Sequence, residues 1–152
     1  MSQLYGEMDV DQIPDNPFNI DEEGSYTGNV SKSEMRTTQG KGDEPGLTKW
    51  VITYEDTDED SAQFGKNASE WLTTYPDMTP DDLAELAPAD RKQVIRDLSR
   101  VKNRLKSLGF EDGQVSSVED VVGIDVEFVI VKQTDKNDDE KHYFNIKFVK
   151  AL

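Results

Sequence analysis

The chain has 152 residues, with 17 Lys and Arg against 32 Asp and Glu, a formal net charge of -15 and 34% hydrophobic residues. That length fits one domain able to bury about 68–70% of its unfolded surface. With no cysteine and a single histidine, His142, disulfides, thiol catalysis and thiolate or multi-histidine metal sites are excluded.

In chain order, residues 1–23 hold seven acids, Pro14 and Pro17 but no Lys or Arg. Such a stretch lacks the means to build a core, so residues 1–22 are expected to form a flexible acidic arm ahead of a domain over 23–152. No apolar run of about eighteen residues occurs and the first residues carry neither a basic nor an apolar leader segment, which leads to the expectation of a cytoplasmic protein without membrane contact. "GSYTGNVSKSEMRT" then has the β-branched, aromatic and short polar character of a strand, at about 24–36. "TTQGKGDEPG" is a loop by its turn chemistry. In "LTKWVITYED", Trp50, Ile52 and Tyr54 share one face by period two, and Lys49, Val51 and Thr53 share the other. An acidic turn, "DTDEDSAQFGKN", leads to a third strand, "NASEWLTTY", carrying Trp71 and Tyr75.

At "DMTPDDL" the signals change. Thr79 is a good N-cap, Pro80 suits the first helical position, and Asp81 and Asp82 favour the positive end of a helix dipole. After Pro88, Val94, Leu98, Val101, Leu105 and Leu108 recur at helical spacing until Gly109 supplies a stop, predicting a second helix over about 89–108. The helical insertion thus covers about 79–109. "VVGIDVEFVIVKQT" and "HYFNIKFVKAL", separated by "DKNDDEK", read as a closing hairpin. The predicted fold is mainly β with a helical insertion, in the order β-β-β-α-β-β. That is the order of the OB-fold, a partly open five-stranded barrel that binds oligonucleotides or oligosaccharides on the face of its second and third strands.

Seven cations, Arg91, Lys92, Arg96, Arg100, Lys102, Arg104 and Lys106, crowd the second helix. They scatter round the circumference left by the apolar stripe, the pattern of a solvated face, and in an OB-fold such a helix plugs the barrel end. A single-strand interface needs aromatic rings for stacking and cations along the backbone. The candidates are Trp50, Tyr54 and Trp71, with Lys32, Arg36, Lys41, Lys49, Lys66, Lys132 and Lys147 on strands or loops near them. Lys41, in the loop "QGKG", is suited to wrapping a backbone. The alternation of Trp50, Ile52 and Tyr54 is also that of a core face, and both readings stay open.

The acidic runs do not make calcium loops. Gly and Glu are required at the sixth and twelfth positions, whereas Asp56 leads to Ser61 and Asn67, and Asp135 leads to Glu140 and Ile146. No metal or cofactor is expected. Nothing has the form of a phosphate loop, a nucleophile elbow or a catalytic carboxylate pair, and no enzymatic activity is expected.

"GSYTGNVSKSEMRTTQGKG", "LTKWVITYED", "GKNASEWLTTY", a helix ending "RLKSLGF", "VVGIDVEFVIVK" and a closing "YFNIKFVKAL" together resemble the phage-encoded single-stranded-DNA-binding proteins of OB type, over about residues 17–152. The resemblance implies a protein that coats single-stranded DNA with little sequence preference in viral replication or recombination, in the host cytoplasm. Two features differ from single-strand-binding behaviour. The last hairpin loop, "TDKNDDEK", is acidic, and the acidic stretch precedes the domain instead of following it, where it is a candidate contact for replication or recombination proteins. A second reading, of another class, is an acidic protein-interaction module or DNA mimic that occupies a nucleic-acid-binding site on another protein. A third is a carbohydrate-binding barrel.

Overall fold

The computed structural model describes residues 6–7, 18–40, 42 and 46–152. Its strands are β1 (Gly24–Thr37), β2 (Thr48–Asp56), β3 (Asn67–Thr74), β4 (Asp125–Thr134) and β5 (His142–Ala151), with helices α1 (Pro80–Glu85) and α2 (Pro88–Ser107) between β3 and β4. All five strands are antiparallel neighbours in one sheet ordered β3-β2-β1-β4-β5. The sheet is not closed. Its edge strands β3 and β5 line opposite walls of a cleft, and α2 lies against both.

The helical insertion is built as its sequence demands. Thr79 Oγ1 accepts the Asp82 N–H at 3.1 Å while Asp82 Oδ2 accepts the Thr79 N–H at 3.1 Å, a reciprocal cap for α1. Arg91, in the first turn of α2, closes the other end of α1 by donating to the carbonyls of Ala84 at 2.8 Å and Leu86 at 3.0 Å. The predicted apolar stripe of α2 faces the sheet, with Leu105 and Leu108 in the core and Val101 packed against it. Tyr75 donates to the buried Asp97 of α2 at 2.6 Å; burial first, and then this bond, push its phenol up to about 12.

The core lies between the inner face of the sheet and α2. Tyr26, Trp50, Ile52, Tyr54, Phe128 and Ile130 are its largest strand-borne members. Tyr54 and Phe128 approach ring to ring at 5.6 Å, and Tyr26 stacks on Phe128 at 5.7 Å. Each such side chain contributes about 1.5–3 kcal/mol on full burial. Where β1 crosses β2, a Cβ on Gly28 would lie 1.7 Å from the Glu55 carbonyl oxygen, so only glycine lets the two backbones come this close.

Ser33 holds Trp50 in this core. Its Oγ accepts the indole N–H at 2.9 Å and donates to the Val118 carbonyl at 2.6 Å. Ser33→Ala leaves the buried Trp50 indole N–H and the part-buried Val118 carbonyl without this partner, and is expected to lower unfolding free energy by about 1–3 kcal/mol in urea titration. An unchanged midpoint would show that water replaces the hydroxyl.

Two expectations need correction. The last strand pair begins at Asp125, because Val118–Val121 instead forms a 3₁₀ turn capped by Ser117, with Val121 buried and Gly123 at φ +91 donating to the Val30 carbonyl. The boundary drawn after residue 22 is also too late. Ile20 is 3% exposed and joins the core, its N–H donating to the Asn67 carbonyl while the Asn67 N–H donates to the Phe18 carbonyl. Residues 18–22 therefore belong to the folded body; apart from Gly6 and Glu7, the rest of the acidic arm lies outside the described residues. On α2, which lies beside β3 and β5, Lys92, Arg96, Arg100, Lys102 and Lys106 are exposed, as a solvated circumference requires, while Arg91 and Arg104 are half-buried. Among the described residues, no helix is long and apolar enough to cross a membrane.

Candidate nucleic-acid interface

Two bulges decide which side chains face outward. In β1 the pairing with β2 slips between Val30 and Lys32, leaving Ser31 as the extra residue. Strict alternation from Tyr26 through Val30 would turn Lys32, Glu34 and Arg36 inward; the bulge reverses the parity, burying Ser33 and exposing Lys32 and Arg36. The outer face of β1, β2 and β3 then carries ladder rows running Lys32–Thr53–Ser69, Glu34–Val51–Trp71 and Arg36–Lys49–Thr73.

Trp71 stands on the edge strand of this face, in the central of these rows, at 49% exposure, with the Arg36 guanidinium over its ring at 5.6 Å from the centroid. Val51, opposite Trp71 in the ladder, is buried despite pointing outward, so its neighbours on this face cover it. Lys49 Nζ donates to Thr73 Oγ1 at 2.7 Å, and Glu34 pairs with Arg36 at 2.5 Å and Lys32 at 3.5 Å. Two cations thus meet one carboxylate and a third is held by a hydroxyl on the face that carries the half-exposed indole, in a chain that is otherwise strongly acidic.

Of the residues singled out in the sequence, Lys32, Arg36, Lys49 and Trp71 come together here. Trp50 and Tyr54 do not. They are 2% and 0% exposed, on the inner face, and no base can stack on either. Of the two readings of their alternation, the core face is the observed one. Burial, and after it the neighbouring Glu70 carboxylate, push the Tyr54 phenol far above its usual range. Lys66 is drawn to the opposite end of β3, pairing with Asp21 at 3.6 Å. Lys132 lies on β4, its backbone N–H held by Glu23 Oε1 at 2.7 Å. Lys41 lies outside the described residues.

Lys147 is the extra residue of a second bulge, between the Val129–Phe148 and Ile130–Ile146 pairs. It lines the cleft of about 720 Å³ between β3, β5 and α2, together with Trp71, Arg100, Asn103, Arg104 and Phe148. Deep in this cleft Arg104 Nε donates to Glu70 Oε1 at 2.9 Å, the two side chains 15% and 10% exposed. The sequence reading assigned Arg100 and Arg104 to a solvated face and passed over Asn103 and Ser107. Arg100, Asn103, Arg104 and Ser107 follow i, i+3, i+4, i+7 spacing along one side of the apolar stripe, and that spacing was the available signal.

The acidic hairpin loop stands at the far end of the same seam. His142–Asn145 of β5 face Asn67–Ser69 of β3 there, whereas Asn145–Val149 face Ser69–Leu72 at the basic end. Within the loop, the Asn137 backbone N–H and then the Tyr143 hydroxyl hold the Asp135 carboxyl below its usual range. Among the described residues, no group of three or more metal-binding side chains comes together.

No family model matches the chain, and no curated protein matches it.

Proposed function

We propose that this chain is a non-enzymatic, OB-like barrel that binds single-stranded DNA with little sequence preference, using the outer face of β1, β2 and β3. The observation that carries the reading is Trp71: a half-exposed indole on a strand, with Arg36 over its ring and Lys32 and Lys49 in the adjacent ladder rows of the same face. Base–aromatic stacking is worth about 1–3 kcal/mol per base. An exposed cation–π contact is worth about 0.5–1 kcal/mol. A base can therefore displace the Arg36 guanidinium from the ring and release it to a phosphate. The flanking Thr53, Ser69 and Thr73 are short donors that suit backbone contacts and read no base, which agrees with weak sequence preference.

The order of strands supports the barrel reading, since β1 lies between β2 and β4 and the two edges approach across one cleft. The sequence resemblance supports a role in phage replication or recombination, in the host cytoplasm. Net charge favours the rival reading, an acidic module mimicking DNA, and the two differ by the sign of their partner.

Glu34 tests the interface directly, because its carboxylate neutralises two of the three cations. Glu34→Gln is expected to tighten binding of a fluorescein-labelled thymidine oligomer by roughly fivefold at low salt, the equivalent of about 1 kcal/mol for a surface ion pair. Unchanged or weakened binding, read by anisotropy, would remove Lys32 and Arg36 from the interface. A chain that binds no oligomer at low salt is the outcome expected of a mimic.

A further inference from the structure

We infer that the bound strand does not end at Trp71 but crosses the β3–β5 cleft onto a second stacking site at Phe148, its intervening phosphate held by Lys147 and Arg100. This rests on the single-strand reading above and extends its footprint to α2 and β5.

Three independent features converge on the cleft. The first is Phe148 itself, an aromatic side chain 50% exposed on a strand whose parity would otherwise bury it. By strict alternation Phe144, Ile146 and Phe148 would share the inner face. The Lys147 bulge instead turns Val149 inward to full burial and Phe148 outward. The second is position, because Phe148 and Trp71 stand on the two edge strands and line the same cleft. A strand leaving one ring meets the other without rounding the barrel.

The third is charge. Arg104 is committed to Glu70. Among the described residues, neither Arg100 nor Lys147 has an ion-pair partner, and Asn103 lines the same cleft as a neutral donor. Two uncommitted cations lining one cleft, one on α2 and one on β5, suit a phosphate passing between two stacked bases. The acidic hairpin loop at the far end of the seam repels a polyanion, so the path runs over the basic end. This also gives the cation-rich helix a part: one of its sides, Arg100 and Asn103, faces the strand.

The test is affinity against oligomer length, with sites of roughly 4–16 nucleotides per barrel as the guide. Thymidine oligomers of about four nucleotides reach only the sheet face, and those of about ten reach both rings. In the native chain the longer oligomer is expected to bind more tightly. Phe148→Ala is expected to weaken the longer oligomer by roughly five- to hundredfold and leave the shorter one unchanged. Lys147→Glu, which leaves the aromatic in place, is expected to do the same and to lower the salt slope for the longer oligomer only. If both variants bind the longer oligomer as the native chain does, the second site is overturned while the Trp71 interface stands. If the native chain binds neither oligomer, the single-strand reading falls and this inference with it.

Discussion

Trp71→Ala is expected to weaken binding of a thymidine oligomer by roughly five- to hundredfold, the loss of one stacked base at about 1–3 kcal/mol. The ring is half exposed and lies outside the core cluster, so the fold should survive. The stability cost should come from its ladder partner Val51, which is buried on the same outer face and would gain solvent contact. Thermal melting of the variant should therefore shift by a few degrees at most, in keeping with an exposed site. Trp71→Phe, which keeps a π face of smaller area, should fall between the two. The informative result is the dissociation of binding from stability. A variant that melts with the native chain and binds with native affinity would mean that no base rests on this ring.

The second large effect concerns salt. Replacing Lys32, Arg36 and Lys49 together by alanine should lower the slope of log affinity against log salt by about 2, since each phosphate neutralised on a single strand contributes about 0.7. The three side chains are strand-borne on the outer face, and Lys49 is held by Thr73, not by a carboxylate. Their removal should leave the sheet intact. Loss of affinity without a change in slope would mean that these cations support Trp71 and do not meet phosphate. The same slope measured for Lys66→Ala should not change, because Lys66 pairs with Asp21 at the other end of β3.

Much of the fold was legible locally. Period two in "WVITYED" marked β2, and the Thr79–Pro80 pair marked the start of α1, because alternation and capping are written in neighbouring residues. What escaped was non-local. A bulge inserts one residue with no composition signal, and each of the two bulges here reverses which side chains face out: at Ser31 it brings Lys32 and Arg36 to the surface, and at Lys147 it does so for Phe148. Ile20 is one apolar residue in an acidic stretch, and it docks only because Asn67, far along the chain, offers its backbone. The pairing of Arg104 with Glu70 joins positions 34 apart and cannot be read from either segment. Trp50 and Trp71 carry the same letter on adjacent strands, yet opposite parity sends one into the core and the other to solvent.

That contrast makes intrinsic fluorescence the most direct measurement. Of the two tryptophans, Trp50 is sealed at 2% exposure and Trp71 is open at 49%, so a ligand stacking on the sheet face quenches one of them alone. The chain and its Trp71→Phe variant would be titrated with a thymidine oligomer of roughly thirty nucleotides at low and then moderate salt. Quenching that weakens as salt rises in the native chain, and that is missing in the variant, is the predicted result. No quenching together with no change in anisotropy of a labelled oligomer, even at low salt, would contradict single-strand binding and favour an acidic module whose partner is a protein.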